Sequence, residues 1–369
     1  MRGKRIVVKV GSSSLTEANG KIARDKVKGL ASQMAGLIRQ GVELILVSSG
    51  AVAAGLERLG WSRAQITIPE KQAAAAVGQG ILIEMYQQLF AAEKIQIAQL
   101  LLTRADVEER KRFIHIRNTI ETLLRRGILP IVNENDTVAV EEIRFGDNDT
   151  LGSLVALVAE ADALVMLTDI DGLYTANPAR DPNARRILEV AEITQSLKAM
   201  AGKSGSQVGT GGMQTKLTAA EIATQSGIET VIAASQEPDV LKKIVSRQKV
   251  GTWFHPHYRL SGKKSWLAYG TRVEGRLTVD AGAAKALIDH HGSLLLAGVE
   301  EVSGEFLEGA AVAIMKADGD RIGKGIVHFS SHDLRLLLER KKQGIKQNHY
   351  PVVIHRDAMV ILVREGKRA

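Results

Sequence analysis

The stretch VELILVSSGAVAAGLERLG, residues 42–60, decides the fold. Val42 to Val47 form an almost unbroken apolar run, the mark of a strand buried on both faces rather than one alternating against water. Ser48, Ser49 and Gly50 turn the chain, and GAVAAGLERLG continues as a helix that ends at Gly60. A buried strand running straight into a helix is part of a βαβ unit, so the flanking sequence is expected to repeat the rhythm.

The repeat is legible on both sides. RIVVKV (5–10) is a short β-branched run, and Val27, Leu30, Ala31, Met34, Leu37 and Ile38 follow at helical spacing up to Gly41. Downstream, residues 71–91 are alanine-rich and helical, IQIAQLLLT (95–103) is strand-like, 106–126 reads as a helix closed by Gly127, and ILPIVNEND (128–136) is a strand. LGSLVALVAE as helix, ALVMLTD as strand, LTAAEIATQSG as helix and ETVIAAS as strand complete the series. The expected fold is α/β, a mostly parallel sheet sandwiched by helices.

From about residue 253 the texture changes. Residues 254–274 have no period and read as a linker. From Gly275 onward the runs GRLTVD, SLLLAGV, EEVSGEF, AAVAIMK and GKGIVHFS are short and punctuated by glycine, which predicts a small, mostly β domain. The expected division is 1–253, a linker over 254–274, and 275–369. The last thirty residues, 340–369, carry eight Lys and Arg against two Asp and Glu. Such an end attracts an anionic partner or stands as a solvated terminus.

Composition narrows the class. The chain has 369 residues, 45% hydrophobic and 24% charged, and a formal net charge of +8. It has no cysteine, which excludes disulfides, thiol nucleophiles and thiolate zinc sites and agrees with a reducing cytoplasm. The basic start is interrupted by Lys9, so it reads as a first strand and not as a signal peptide. The most apolar stretch contains Glu160 and Asp162 and is too short and too charged to span a bilayer. Neither H-E-x-x-H nor G-x-S-x-G occurs, which argues against zinc or serine hydrolysis.

In open α/β sheets, ligands sit beyond the carboxyl ends of the strands. Here those ends are KVGSSS, VSSGA, NENDTV and LTDIDG, all small, polar or acidic. Lys9 with Gly11 to Ser14 is either a phosphate site, with backbone N–H groups, hydroxyls and a point charge, or an ordinary strand end with a solvated lysine. Ser49-Gly50-Ala51 offers a helix N-terminus to a carboxylate or a phosphate, or is a plain strand-to-helix turn. The cluster NENDTVAV followed by GDND (146–149) suits a substrate ammonium, a metal, the fixing of lysines, or a polar turn. Thr168-Asp169 meets a nucleotide or caps the turn DGLY.

GTGGMQTK (209–216) is a glycine-rich loop ending in lysine, yet it is not the G-x-x-x-x-G-K-[ST] pattern. Lys9 and Lys216 are candidates to converge on one phosphoryl group, with Asp149 holding both. Phosphoryl transfer needs positioning and neutralisation of the equatorial oxygens more than covalent help.

Taken in order, VVKVGSSSL, LVSSGAVAAG, KQAAAAVGQG, QLLLTRAD, PIVNENDTVA, GDNDTL, LTDIDGLYTANP and GTGGMQTKLTAA resemble the glutamate-phosphorylating branch of the amino acid kinase family. GRLTVDAGAAKAL, GVEEVSGEFLEGAAVAI and IGKGIVHFSS resemble the PUA domain appended to its bacterial members. The resemblance implies ATP-dependent phosphorylation of the side-chain carboxylate of L-glutamate to L-glutamyl 5-phosphate, the first step of proline biosynthesis.

It also implies roles. Lys9, Lys216 and Asp149 would be catalytic. Ser49, Asp136 and Asn148 would hold L-glutamate, with Asp136 on its ammonium. Lys9, Thr168, Asp169, Thr210, Gly211, Gly212, Met213, Gln214, Thr215 and Lys216 would bind ATP, with Mg²⁺ accompanying the nucleotide and no dedicated metal residue. Feedback inhibition by proline, a homo-oligomer (dimer or tetramer) and a cytoplasmic location are implied as well. Because an acyl phosphate hydrolyses readily, a transient contact with the reductase that consumes it is a further expectation. Two alternatives stand beside this reading. One is another member of the family acting on aspartate, N-acetylglutamate or a nucleoside monophosphate. The other is an RNA-binding protein acting through the PUA domain, for which sparse aromatics give little support.

Overall fold

The computed structural model describes residues 4–17, 21–62, 66–138, 148–178, 181–202, 212–256, 262–343 and 350–362. The chain divides into two compact units, Met1–Arg259 and Leu260–Ala369. In the first, ten strands are described: β1 (Arg5–Val10), β2 (Glu43–Val47), β3 (Ile97–Leu102), β4 (Leu129–Glu134), β5 (Ala163–Thr168), β6 (Leu173–Tyr174), β7 (Arg186–Ile187), β8 (Glu189–Val190), β9 (Glu229–Ala234) and β10 (Thr252–Phe254). Eight of them form one sheet in the order β3-β4-β2-β1-β5-β9-β10-β8, and β6 and β7 pair separately. From β3 to β9 every pairing is parallel, and β10 turns antiparallel to β9. The mostly parallel α/β sheet expected from the apolar runs is therefore the observed one.

Strand parity sorts the side chains. Ile6, Val8 and Val10 of β1, with Leu44 and Leu46 of β2, join one apolar cluster with the Arg24–Arg39 and Ile68–Ala92 helices. With a period of two, Val7 and Lys9 face the other side. There the Asn148–Val158 helix packs against β1 and against the Met213–Gln225 helix. Pro130 lies inside β4, where a missing N–H would normally interrupt a ladder. It faces Ala98 of β3, and pairing with β2 begins only at Ile131.

Registers place the strand ends level. Lys9 lies opposite Val47 and Met166, and Val47 lies opposite Val132. One residue further on stand Ser48 and Asn133, and two residues further on Gly11 and Thr168, and these four form one rim. The strand order reverses at β1, with β2 on one side and β5 on the other, which is where such sheets open a crevice.

In the second unit, β11 (Gly275–Val279), β13 (Val299–Ser303), β14 (Ala311–Lys316), β15 (Arg321–Ile326) and β17 (Met359–Ile361) form a sheet in the order β13-β11-β14-β15-β17. β12 (Leu294–Leu295) and β16 (Val352–Ile354) pair apart from it. Leu277, Val312, Ile314, Ile322, Leu334 and Val353 belong to its core.

Two helices here go beyond the strands read from sequence, Ala281–His290 and Ser331–Lys342. Their caps were legible: Asp280 Oδ1 accepts the N–H of Ala283, and Ser330 Oγ accepts that of Asp333. SLLLAGV is not one strand, because β12 stops at Leu295 and a single 3₁₀ turn covers Leu296–Gly298. Of the stretch read as a linker, Phe254 ends β10, while Gly262–Gly270 is helical and buries Trp266, Leu267 and Ala268 in the second unit. Lys324, buried in β15, donates to the carbonyls of Ala268 and Thr271. Within the basic end, Lys341 Nζ donates to the carbonyl of Val299 at 3.0 Å, so one of its charges anchors a helix. Residues 344–349 and 363–369 lie outside the described ones.

Candidate active site

Lys9 is an ammonium inside a parallel sheet, 5% exposed. A charge there requires a partner, because the interior solvates it poorly. Asp149, 0% exposed, supplies it: Lys9 Nζ donates to Asp149 Oδ1 at 2.5 Å. Lys216, 6% exposed, donates to Asp149 Oδ2 at 3.1 Å. Thr215 Oγ1 lies 3.0 Å from the same Oδ2 and 2.8 Å from the carbonyl of Gly212, one hydroxyl proton between two acceptors. Burial alone would raise the Asp149 pKa, but the two ammonium groups outweigh it and hold the carboxyl well below the usual range.

The elements explain the meeting. Asp149 stands in the first turn of Asn148–Val158, and Lys216 is the fourth residue of Met213–Gln225. Both helices cover the sheet face to which parity directs Lys9. Gly212, extended at φ −72° and ψ 179°, is the N-cap of the second helix and no side chain caps it. Its first N–H groups and the two lysines are positive, with one carboxylate between them.

Of the second group of candidates, Asn148 and Ser49 join the first through the Asn148–Asp149 step. Asn148 Nδ2 approaches the carbonyl of Ser48 at 2.6 Å, Ser49 Oγ at 2.9 Å and Asn133 Oδ1 at 3.0 Å. Ser49 is held by the turn at Gly50, whose φ of +93° suits glycine. Asp136 sits in the turn after β4, and burial pushes its carboxyl up to about 6. Among the described residues no cationic side chain pairs with it.

Thr168 is buried at the end of β5, and its hydroxyl donates to Asp169 Oδ1 at 2.9 Å. These two share the strand-end rim with Lys9. Met213 is half-buried and Gln214 exposed. Thr210 and Gly211 lie outside the described residues.

Part of the layer beneath the site, Gln79 and Gln99, was missed from sequence. Asn133 and Gln99 both donate to Gln79 Oε1 behind Asn148. Ser48 Oγ shares a hydrogen bond of 2.9 Å with Tyr86, whose phenol burial raises to about 12. Gln79 in the apolar run AAAAVGQGILI was the available signal, since an amide on a buried helix face needs partners.

The site fits a phosphate. A Cβ at Gly11 would find ordinary contact, 3.5 Å from the Leu167 carbonyl, 3.6 Å from Lys9 Nζ and 3.8 Å from Ser13 Oγ, so this position borders both an ammonium and a hydroxyl. The Ser14 hydroxyl is buried without a partner among the described residues. No group of three His, Cys, Asp or Glu able to hold a metal occurs among them.

A parallel sheet with a buried cationic cluster at its switch point defines an anion-receiving α/β protein. The chain belongs to the amino acid kinase family, whose model matches residues 4–234, and the PUA domain model matches 275–348. It is similar to the glutamate 5-kinase of Trichlorobacter lovleyi, 48% identical over 97% of both chains. It is 46% identical to the glutamate 5-kinase of Carboxydothermus hydrogenoformans, over 97% of this chain and 98% of that one. The fold is also that of the carbamate kinase from Giardia lamblia bound to AMP-PNP, with a TM-score of 0.51, 19% identity, and coverage of 69% of this chain and 99% of the other. No described helix is long and apolar enough to cross a membrane.

Proposed function

We propose that the protein transfers the γ-phosphoryl group of ATP to the side-chain carboxylate of L-glutamate, giving L-glutamyl 5-phosphate and ADP. The observation that carries this reading is the Lys9–Asp149–Lys216 cluster: two ammonium groups share one carboxylate and leave a net positive charge, buried, at the strand ends. Such a centre receives a transferring phosphoryl group and neutralises its equatorial oxygens.

The acceptor is already a carboxylate at neutral pH, so the reaction asks for no general base. One of its oxygens forms the new bond to phosphorus as the bond to the β,γ-bridging oxygen breaks. Lys9 and Lys216 hold the phosphoryl oxygens through this exchange. Asp149 keeps the two ammonium groups in place, and Thr215 braces Asp149. Ser49 and Asn148 bind the glutamate backbone groups, and Asp136 pairs with its ammonium.

Thr168, Asp169 and the segment from Thr210 to Lys216 bind the ATP in this reading. Mg²⁺, when bound with ATP, adds positive charge at the phosphates. The resemblance supports the finer readings too: inhibition by proline, a homo-oligomer, transient contact with the reductase that consumes the acyl phosphate, and a cytoplasmic location.

The test is a hydroxylamine trap with ATP, Mg²⁺ and, in turn, L-glutamate, L-aspartate and N-acetyl-L-glutamate. Hydroxamate is expected from L-glutamate alone and is lost in Lys216→Ala. Hydroxamate from a different acid would overturn the substrate and leave the mechanism standing.

A further inference from the structure

We infer that Gln79 and Asn133 are positioning residues: a buried chain of carboxamides fixes which atom Asn148 turns to the substrate. The inference rests on the proposed reaction and deepens it.

The chain is anchored at both ends by backbone groups whose character is not in question. The N–H of Glu134 can only donate, and it donates to the Asn133 side chain at 2.9 Å, so that atom is the oxygen. Asn133 Nδ2 therefore lies on the other side and donates to Gln79 Oε1 at 3.2 Å. Gln79 Nε2 donates in turn to the carbonyl of Glu134 at 3.0 Å, which can only accept. Gln99 Nε2 approaches the same Oε1 at 3.5 Å. Turning either buried amide over would set acceptor against acceptor or donor against donor. Gln79 and Asn133 are both buried, so no water would absorb the mismatch cheaply.

The fixed Asn133 Oδ1 is one acceptor for Asn148 Nδ2, and the carbonyl of Ser48 is another. With its nitrogen committed to two obligatory acceptors, Asn148 has its oxygen left for a ligand. The site then offers acceptors, Asn148 Oδ1 and Asp136, and so selects a substrate with a free ammonium over one whose amine is acylated. The helix bearing Gln79 is held close enough to serve as the brace. A Cβ at neighbouring Gly78 would lie 1.8 Å from the carbonyl of Ala51, so the two helices touch through backbone.

The experiment uses the full chain with Gln79→Met, which keeps length and removes all three hydrogen bonds of the amide, and Asn133→Asp, which keeps Oδ1 and removes the donor to Gln79. KM for L-glutamate, KM for ATP and the thermal midpoint are measured for each. The expected result is a KM for L-glutamate raised at least fivefold with KM for ATP within twofold. An unchanged KM for L-glutamate in either folded variant, or equal losses for both substrates, would overturn the relay.

Should neither variant fold, native chain carrying ¹⁵N in Asn and Gln side chains answers the same question. At least three carboxamide NH₂ groups are expected to resist solvent exchange before any substrate is added, and fewer would sink the inference. That result does not depend on the substrate. If the native chain made no hydroxamate from L-glutamate while its amides stayed protected, the substrate reading would fail and the relay would stand.

Discussion

Gly152 stands against the stem of Lys9: a Cβ built on it would lie 3.2 Å from both Cβ and Cγ of the lysine. Glycine inside a helix costs about 1 kcal/mol relative to alanine. Here it lets the Asn148–Val158 helix approach β1 closely enough for Asp149 to reach Lys9. Gly152→Ala is therefore expected to lose the helix-propensity gain to crowding and to shift the ammonium by a few tenths of an ångström. Since a misplacement of about 1 Å can cost roughly 10²-fold in rate, kcat should fall about tenfold with KM for L-glutamate little changed. Gly152→Val should lose more than 100-fold. A fully active Gly152→Ala enzyme would show that the approach does not matter; steady-state kinetics on both variants decides.

Asp149 holds two buried ammonium groups, so its removal strands both. Breaking a buried ion pair by removing one partner costs about 3–5 kcal/mol, and Asp149→Asn should fall in that range by urea unfolding at pH 7. Its folded pKa is depressed below the ordinary 3.8. The stability it contributes is then fully present above about pH 4 and is lost as pH falls through the folded value. The gap between native and variant should thus narrow only in acid below pH 4. A gap constant across that range would mean that the carboxylate is not what the lysines stabilise.

How much of this was legible follows from what each residue must do where it sits. Lys9 interrupts an apolar run, and Asp149 opens a helix with eight further buried residues. A charge in such a setting announces itself. Their meeting was not legible, because it depends on strand parity and on two helices choosing the same sheet face. Asn133 stood inside the NEND cluster, but Gln79 was missed for a different reason. An uncharged amide in an alanine-rich run leaves composition and periodicity unchanged, and only the geometry reveals that its partners are the Glu134 carbonyl and the Asn133 side chain, 55 and 54 residues away. In the second unit, strand-rich texture drew attention from Asp280 and Ser330, whose capping pattern marks the two helices there.

Gly50 links the strand that carries Ser48 to the helix Ala51–Leu59 through a φ of +93°. An L-residue there carries a penalty of roughly 1–2 kcal/mol. A Cβ would otherwise find ordinary contact, 3.8 Å from Ile22 and Leu15. Gly50→Ala is expected to lower stability by that amount through backbone strain and not through collision. Because Ser49 precedes the strained residue, KM for L-glutamate should rise and KM for ATP should not. A variant as stable as the native chain would mean the turn relaxes freely.

Asp136 offers the clearest pH signature. Burial raises its carboxyl from 3.8 to about 6 in the free protein. The sign is opposite to that of Asp149. Holding Asp136 neutral favours the folded state, so its favourable contribution is complete below the unfolded value and disappears as pH rises through about 6. At neutral pH the charged carboxylate is a strained element waiting for a cation. Asp136→Asn should therefore make the free protein more stable at pH 7.5 while impairing it as an enzyme. The substrate ammonium needs the charged form, so kcat/KM for L-glutamate should decline about tenfold per pH unit below 6. In Asp136→Asn that limb should vanish and KM for L-glutamate should be high at every pH. If instead the native profile stays flat from pH 7 to 5, then Asp136 does not receive the ammonium, and Asn148 is left as the acceptor that does.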